Sequence, residues 1–275
     1  MQTRHQQLQA LLTELPPRKS LVFLTGAGVS AESGIPTFRG KGGYWTVGSK
    51  VYQPQQMATW VNFQQQPREV WRWYLYRRGV CRAGSPNAAH HALVRMEQAK
   101  PKQFHLITQN IDGLHRIAGN SAARTYEVHG TGEEMRCAQR CTDDRYPIPE
   151  GVTDKAKDEP LTDEQYVLLS CPKCGAMTRP HVLWFDEYYE EGLYRSNTAM
   201  VAAHTASVLV VAGTSGATSL PVQAVTVALK AGAALIDINP NDNPFRELAD
   251  QYHRGLSLHG SAGEWLPEVV ELLSA

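Results

Sequence analysis

Neither sign of charge dominates this chain of 275 residues, because 27 lysines and arginines balance 27 aspartates and glutamates. Nucleic-acid binders carry a basic face or tail, so no nucleic acid is expected as a partner. Also missing is any apolar run near the ~18 residues that a bilayer span requires, so no membrane partner is expected. The opening residues MQTRHQQLQALLTELPPRK lack the apolar core of a secretion signal, and Leu8, Leu11, Leu12 and Leu15 fall instead at helical spacing. That stripe reads as a packing face, and the expectation is a cytoplasmic enzyme, taken as a monomer. Cysteine is scarce, with five in the chain, four of them in two close pairs. Without a secretion signal such pairs point to metal before disulfides.

The stretch GAGVSAESGIPTFRG, residues 26 to 40, comes directly after the apolar run SLVFLT and also lacks things. No Gly-Lys-Ser/Thr comes after it, so the lysine of a P-loop is absent. After Gly26 and Gly28 the next glycine is Gly34, and no acidic residue stands about 20 positions on, so the dehydrogenase fingerprint is absent too. A strand, a glycine turn and a helix start can still hold a phosphate on backbone N–H groups. An ordinary tight turn explains the same residues equally well.

What is present is a series of short, nearly continuous apolar runs: SLVFLT, FHLITQN, ASVLVVAGTS and AALIDIN. Such runs suit parallel strands buried on both faces, and the helical patterns between them, QAVTVALKAG and EWLPEVVELL, indicate a doubly wound α/β core. In such sheets ligands lie beyond the C-terminal strand edge, so GAG, TQNID, GTS and INP are expected to meet in one crevice. Residues 41–100, rich in Trp, Tyr, Arg and Gln, and residues 132–185, which hold the paired cysteines, read as two insertions forming a smaller domain. The main domain is then 1–40, 101–131 and 186–275.

Cys137 and Cys141 enclose three residues, Cys171 and Cys174 enclose two, and 29 residues separate the pairs. Four thiolates in two turns suit one tetrahedral zinc, and a site closed by four sulfurs is structural. In CPKCG, Pro172 fixes the turn and Gly175 frees the backbone beside the metal. CAQRC is one residue longer than the usual turn, so its geometry is open. Cys81 reads as an ordinary packed thiol.

Taken together, the motifs resemble the sirtuins: GAGVSAESGIPTFRG at 26–40, TQNIDGLHRIAG at 108–119, EVHG at 127–130, the cysteine pairs, RPHVLWFDE at 179–187, GTS at 213–215 and IDINP at 236–240. They run in family order over nearly the whole chain. The resemblance implies NAD-dependent removal of acyl groups from lysine, on a Rossmann-like domain joined to a helical and zinc-ribbon module.

It also implies roles. His129 would be the general base, with Asn110 and Asp112 in the nicotinamide pocket, Ile111 shaping it and Gln109 near the ribose. Gly26, Ala27, Gly28 and Ser33 would approach the pyrophosphate side, and Phe38, Arg39 and Trp45 would cover the nicotinamide side. Gly213, Thr214, Ser215 and Asn239 would meet the adenosine half, with Ala262 near the adenine. VLWFDE would be a strand edge that pairs with an acyl-lysine peptide as an added strand, its Val182, Trp184 and Phe185 lining the lysine channel. His90, His91, His105, His181, His253 and His259 read as structural, and His115 as support for its loop.

Tyr74 and Arg77, on one face of the helical stretch REVWRWYLYRRG, resemble the Tyr-x-x-Arg pair of class III sirtuins. That pair implies acidic acyl groups such as succinyl or malonyl, since a phenol and a guanidinium can both bond a carboxylate. Class III members usually carry a small residue where this chain has Lys41. A deacetylase, an ADP-ribosyltransferase or NAD-cleaving enzyme, and a non-catalytic NAD sensor are the competing readings.

Overall fold

The structure, a computed structural model, describes residues 3–15, 20–37, 54–157 and 159–275. Its strands are β1 (Ser20–Thr25), β2 (Phe104–Thr108), β3 (Thr125–Glu127), β4 (Gly130–Cys137), β5 (Arg145–Pro147), β6 (Thr178–Val182), β7 (Ala206–Ala212), β8 (Ala234–Ile238) and β9 (Gly255–Leu258). Six of them form a parallel sheet in the order β3-β2-β1-β7-β8-β9. Three form an antiparallel sheet in the order β5-β4-β6.

The apolar runs become strands because each buries both faces. All seven residues of β7 and all five of β8 are buried. In β1 the alternation of a strand sends Leu21 and Phe23 into one core layer, with Leu8, Leu93 and Leu266, and Val22 and Leu24 into the other, with Ala203, Val225 and Phe245. Burial of each large side chain contributes about 1.5–3 kcal/mol, so strand positions, and hence strand ends, are tightly fixed. The chain leaves β1 toward β2 and β3, then returns to β7 and continues through β8 and β9. The order therefore reverses between β1 and β7, and their C-terminal ends flank the switch point of a doubly wound sheet.

The helix Pro67–Arg82 begins with Pro67 in its first turn, where a missing N–H costs nothing, and lays Trp71, Tyr74 and Leu75 on the smaller sheet. Trp71 Nε1 donates to the Thr178 carbonyl at 2.8 Å, tying the helix to β6. The helix Ala88–Ala99 behaves differently from its place within the 41–100 insertion: it packs on the C-terminal helix Ala262–Ser274 against the large sheet. The apolar face of Ala89, Ala92, Leu93 and Met96 joins the core layer of that sheet, not the core of the smaller module.

One buried charge sits in β8. Asp237 Oδ2 accepts from Asn243 Nδ2 at 3.0 Å, while Oδ1 meets no donor among the described residues. Burial pushes the carboxyl up to about 6. A carboxyl that is easier to protonate folded than unfolded costs stability as pH rises from about 4 through 6. An amide in its place removes that slope. The stability of the natural protein relative to Asp237→Asn is therefore expected to fall by about 2–3 kcal/mol between pH 4 and pH 7, measured by denaturant unfolding at each pH.

Candidate active site at the switch point

The loops after β1 and β7 touch backbone to backbone. Gly28 N–H donates to the Gly213 carbonyl at 2.8 Å and Gly26 N–H to the Ala212 carbonyl at 3.0 Å. A Cβ on Gly28 would lie 2.7 Å from Gly213 Cα, and one on Gly26 2.7 Å from the Thr214 side chain. Gly213 itself has φ +62°. The glycines are thus required by the contact between two strand ends, and two of the N–H groups expected to be bare are already spent. The chain then enters a 3-10 helix, Ala27–Ser33, stopped by Gly34 at φ +81°.

That helix delivers Ser30, a residue that nothing in its local sequence singles out. Ser30, buried, donates its hydroxyl to Asp112 Oδ2 at 2.7 Å and accepts from Asn110 Nδ2 at 3.1 Å. Asn110 also donates to the Gly26 carbonyl at 3.1 Å, and Asp112 Oδ1 accepts the Leu114 N–H at 2.9 Å. Burial raises the Asp112 carboxyl, opposed by its bonds from Ser30 and Leu114 and by the Arg77 charge. Ser33, by contrast, faces away to accept from Asn87 Nδ2 at 3.0 Å.

Gln109 gathers the other strand ends. Its Nε2 donates to Thr214 Oγ1 at 3.0 Å and to the Thr25 carbonyl at 3.3 Å, and its Oε1 accepts from Thr218 at 3.2 Å. Asn239 Nδ2 reaches the Thr214 carbonyl at 3.1 Å. GAG, TQNID, GTS and INP therefore do share one crevice. Ile111 turns its carbonyl to Gly132 N–H at 2.9 Å, while Ser215 is exposed. Ala262 is buried at the start of its helix, beside Gly263, whose N–H donates to Glu32 Oε2 at 2.8 Å. His115 Nε2 lies 3.1 Å from Thr25 Oγ1, in a supporting position under the loop.

His129 stands between β3 and β4. Its Nδ1 is 3.0 Å from the Gln109 backbone carbonyl, and its Nε2 is 3.0 Å from the Tyr189 hydroxyl. A carbonyl only accepts, so Nδ1 carries the proton and Nε2 keeps its lone pair. Burial pushes the imidazole down to about 4. It is neutral at pH 7, with the Nε2 lone pair accepting from the Tyr189 hydroxyl. Sequence reasoning misses Tyr189, since nothing in YYEEGL distinguishes it from its exposed neighbour Tyr188.

The strand expected over VLWFDE ends at Val182. Beyond it the N–H groups turn to separate acceptors: Leu183 to the His129 carbonyl at 3.0 Å, Trp184 to Glu187 Oε2 at 2.9 Å and Phe185 to the Ala58 carbonyl at 3.0 Å. Glu187 is held in turn by Arg179, which lies 3.4 Å over the Trp184 ring. Val182 and Trp184 are buried, whereas Phe185, expected in the channel, is 55% exposed. Tyr74 and Arg77 are both buried. Trp184 Nε1 donates to the Tyr74 hydroxyl at 2.9 Å, and the Arg77 guanidinium lies over Trp73 at 4.8 Å. Burial pushes the Tyr74 phenol up to about 12, against the pull of Arg77, so it keeps its proton. Phe38, Arg39, Lys41 and Trp45 lie outside the described residues.

The four cysteine sulfurs come together, all within 4.8 Å of one another. Cys137 to Cys174 and Cys141 to Cys171 are each 3.7 Å. A disulfide needs about 2.05 Å. Four sulfurs at about 2.3 Å from one zinc lie about 3.8 Å apart in a tetrahedron, so the spacing fits zinc. The longer turn closes because Arg140 adopts φ +54°, and the shorter because Gly175 adopts φ +73°. With no fifth position for water, the metal would pin β4 to the turn before β6. One zinc per chain is expected by metal analysis. Its removal by chelation, or Cys171→Ser, is expected to cost several kcal/mol of stability, and unchanged unfolding would count against the site.

The Sir2 family profile matches residues 26–219. An NAD-dependent protein deacylase of Leptospira interrogans serogroup Icterohaemorrhagiae serovar Lai is 38% identical over 247 residues, 90% of this chain and 90% of that protein. One from Aquifex aeolicus is 38% identical over 240 residues, 86% of this chain and 89% of that protein. A solved Sir2 homologue in complex with NAD superposes with a TM-score of 0.78 at 35% identity, covering 97% of this chain and 93% of that one. A Sir2 protein solved with a deacetylated p53 peptide and 3'-O-acetyl ADP-ribose superposes with a TM-score of 0.73 at 26% identity, covering 98% of each. These matches, over most of the chain and of its relatives, are decisive: the chain belongs to the Sir2 family.

Proposed function

We propose that this chain is an NAD-dependent protein deacylase, moving the acyl group of an acyl-lysine side chain onto ADP-ribose with release of nicotinamide. The observation that carries the reading is His129, held as a neutral imidazole by the Gln109 backbone carbonyl at Nδ1, with its acceptor nitrogen Nε2 on the Tyr189 hydroxyl. The residue chemistry fits the nucleotide: amides and hydroxyls of Gln109, Asn110, Thr214 and Asn239, bonded to one another and to the strand ends in this structure, would exchange those bonds for ribose hydroxyls and a carboxamide, with the Asp112 carboxyl beside them. When bound, NAD supplies the ADP-ribose that accepts the acyl group.

The chain's own work is then divided by position. Ser30 holds Asn110 and Asp112 in fixed relation at the nicotinamide end. His129 takes a proton at Nε2 from a substrate hydroxyl, which a neutral base of this kind can do at pH 7. The adenosine half lies along Gly213, Thr214, Ser215 and Asn239 toward Ala262. The acyl-lysine peptide lies along residues 182–187, where it must donate to backbone carbonyls, because the N–H groups of Leu183, Trp184 and Phe185 are already bonded.

Acidic acyl groups are the favoured class. Tyr74 keeps a donor hydroxyl beside Trp184, and Arg77 is near enough to both Tyr74 and Asp112 to act on each electrostatically. A carboxylate between them gains charge-assisted hydrogen bonds.

One assay tests both levels. Nicotinamide release is expected to depend on an acyl-lysine peptide, and His129→Ala is expected to lower deacylation by roughly a hundredfold or more. Nicotinamide release at full rate without peptide would favour an NAD-cleaving enzyme. The ratio of kcat/KM for succinyl- over acetyl-lysine is expected to fall roughly ten- to a hundredfold in Arg77→Gln and in Tyr74→Phe. A ratio unchanged by either substitution, or wild-type turnover of acetyl-lysine at least as fast, would sink the acidic preference.

A further inference from the structure

The 3-10 turn Ala27–Ser33 reaches two parts of the crevice at once. Ser30 turns inward to Asn110 and Asp112, and Glu32, two residues on, turns to the start of the helix Ala262–Ser274. With three residues per turn, positions two apart lie on different sides of such a helix. Glu32 Oε1 accepts from the Ser261 hydroxyl at 3.0 Å, and Oε2 accepts from the Gly263 N–H at 2.8 Å.

Both partners belong to the cap of the C-terminal helix. Ser261 is its N-cap, and the same hydroxyl oxygen accepts the Glu264 N–H at 3.2 Å. The Gly263 N–H is a first-turn donor of the kind that finds no partner inside a helix. A carboxylate here also meets the positive end of the helix dipole. The approach depends on a glycine: a Cβ on Gly263 would overlap Glu32 Oε2 and lie 2.8 Å from Oε1, so a side chain there pushes the carboxylate away. Glu32 is exposed and serves no core; its two bonds join segments 229 residues apart in the chain.

We propose that Glu32 is a positioning residue for the dinucleotide: it ties the helix at the adenine end to the turn that Ser30 anchors at the nicotinamide end, so that one NAD spans both. The inference rests on the NAD site proposed above. Glu32 acts through Ser261 and Gly263, and its charge works against binding. A carboxylate near a pyrophosphate repels it, so a through-space role predicts tighter binding once the charge is removed. Positioning predicts weaker binding, and the sign separates the two.

Calorimetric titration with ADP-ribose reads this directly. Glu32→Ala is expected to raise its Kd roughly three- to tenfold, the worth of about one hydrogen bond, and KM for NAD by a similar factor. Both kcat and KM for the acyl-lysine peptide are expected to stay within about twofold, because Ser30 still holds the nicotinamide end. Gly263→Ala keeps the charge but evicts the carboxylate, and alanine suits a helix better than glycine. It is expected to weaken ADP-ribose binding to the same degree, with a melting temperature within about 3 °C of the natural protein. The Glu32→Ala/Gly263→Ala double variant is expected to match Glu32→Ala, because both substitutions act on one contact. Unchanged or tighter binding in Glu32→Ala overturns the proposal, as do losses that add in the double variant. A fall in kcat with a higher KM for both substrates marks general loosening and overturns it too. A natural protein that does not bind ADP-ribose refutes the NAD site itself, whereas normal binding with no effect at 32 or 263 refutes the positioning role alone.

Discussion

Everything at this site depends on the contact between the loops that leave β1 and β7. Gly28 N–H reaches the Gly213 carbonyl with no side chain between the chains, and Gly26 and Gly213 would each clash if given a Cβ. This closeness is what lets Gln109, from the neighbouring strand β2, span from Thr25 to Thr214 with one amide group. Had the loops stood an ångström further apart, that amide could bond only one of them. The strands behind them are buried on both faces, so the contact is held by the whole core and not by the loops themselves.

From that fixed point the chemistry builds by short steps. Gln109 offers its backbone carbonyl to His129, and the carbonyl selects the tautomer that leaves Nε2 as acceptor. Burial then keeps the ring neutral, where an exposed histidine would be partly charged near neutral pH. Ser30 does for Asn110 and Asp112 what Gln109 does for His129: one buried hydroxyl accepts from the amide and donates to the carboxylate, which links the two side chains, while the Gly26 carbonyl and the Leu114 N–H hold their other ends. The zinc-ribbon module bears on the same crevice, since β4 begins at Gly130, next to His129, and ends at Cys137.

Much of this is legible in the sequence, because the signals are local. Apolar runs such as SLVFLT and ASVLVVA are buried almost throughout, and two cysteine turns carry their geometry within a few residues. The strand β9, GLSL, is not legible, because four residues opening on a glycine are too few to show a period; only its place at the sheet edge makes it a strand. Ser30 and Ser33 stand in the same small-residue run, and the 3-10 turn decides that Ser30 is the one that faces inward. The extended reading of VLWFDE fails at Leu183, where acceptors on His129, Ala58 and Glu187 outcompete a strand partner. Each miss lies in contacts between residues far apart in the chain, and periodicity carries no information about those.

A backbone carbonyl and burial together set the protonation of His129, and the proposed chemistry stands or falls with that. Nitrogen NMR of its imidazole in the full-length protein, followed from about pH 8 down to about pH 5, reads this directly. The expected result is a proton on Nδ1, none on Nε2, and no titration across that range, in keeping with a value of about 4. A proton found on Nε2, or a titration near the ordinary 6.5, would contradict it.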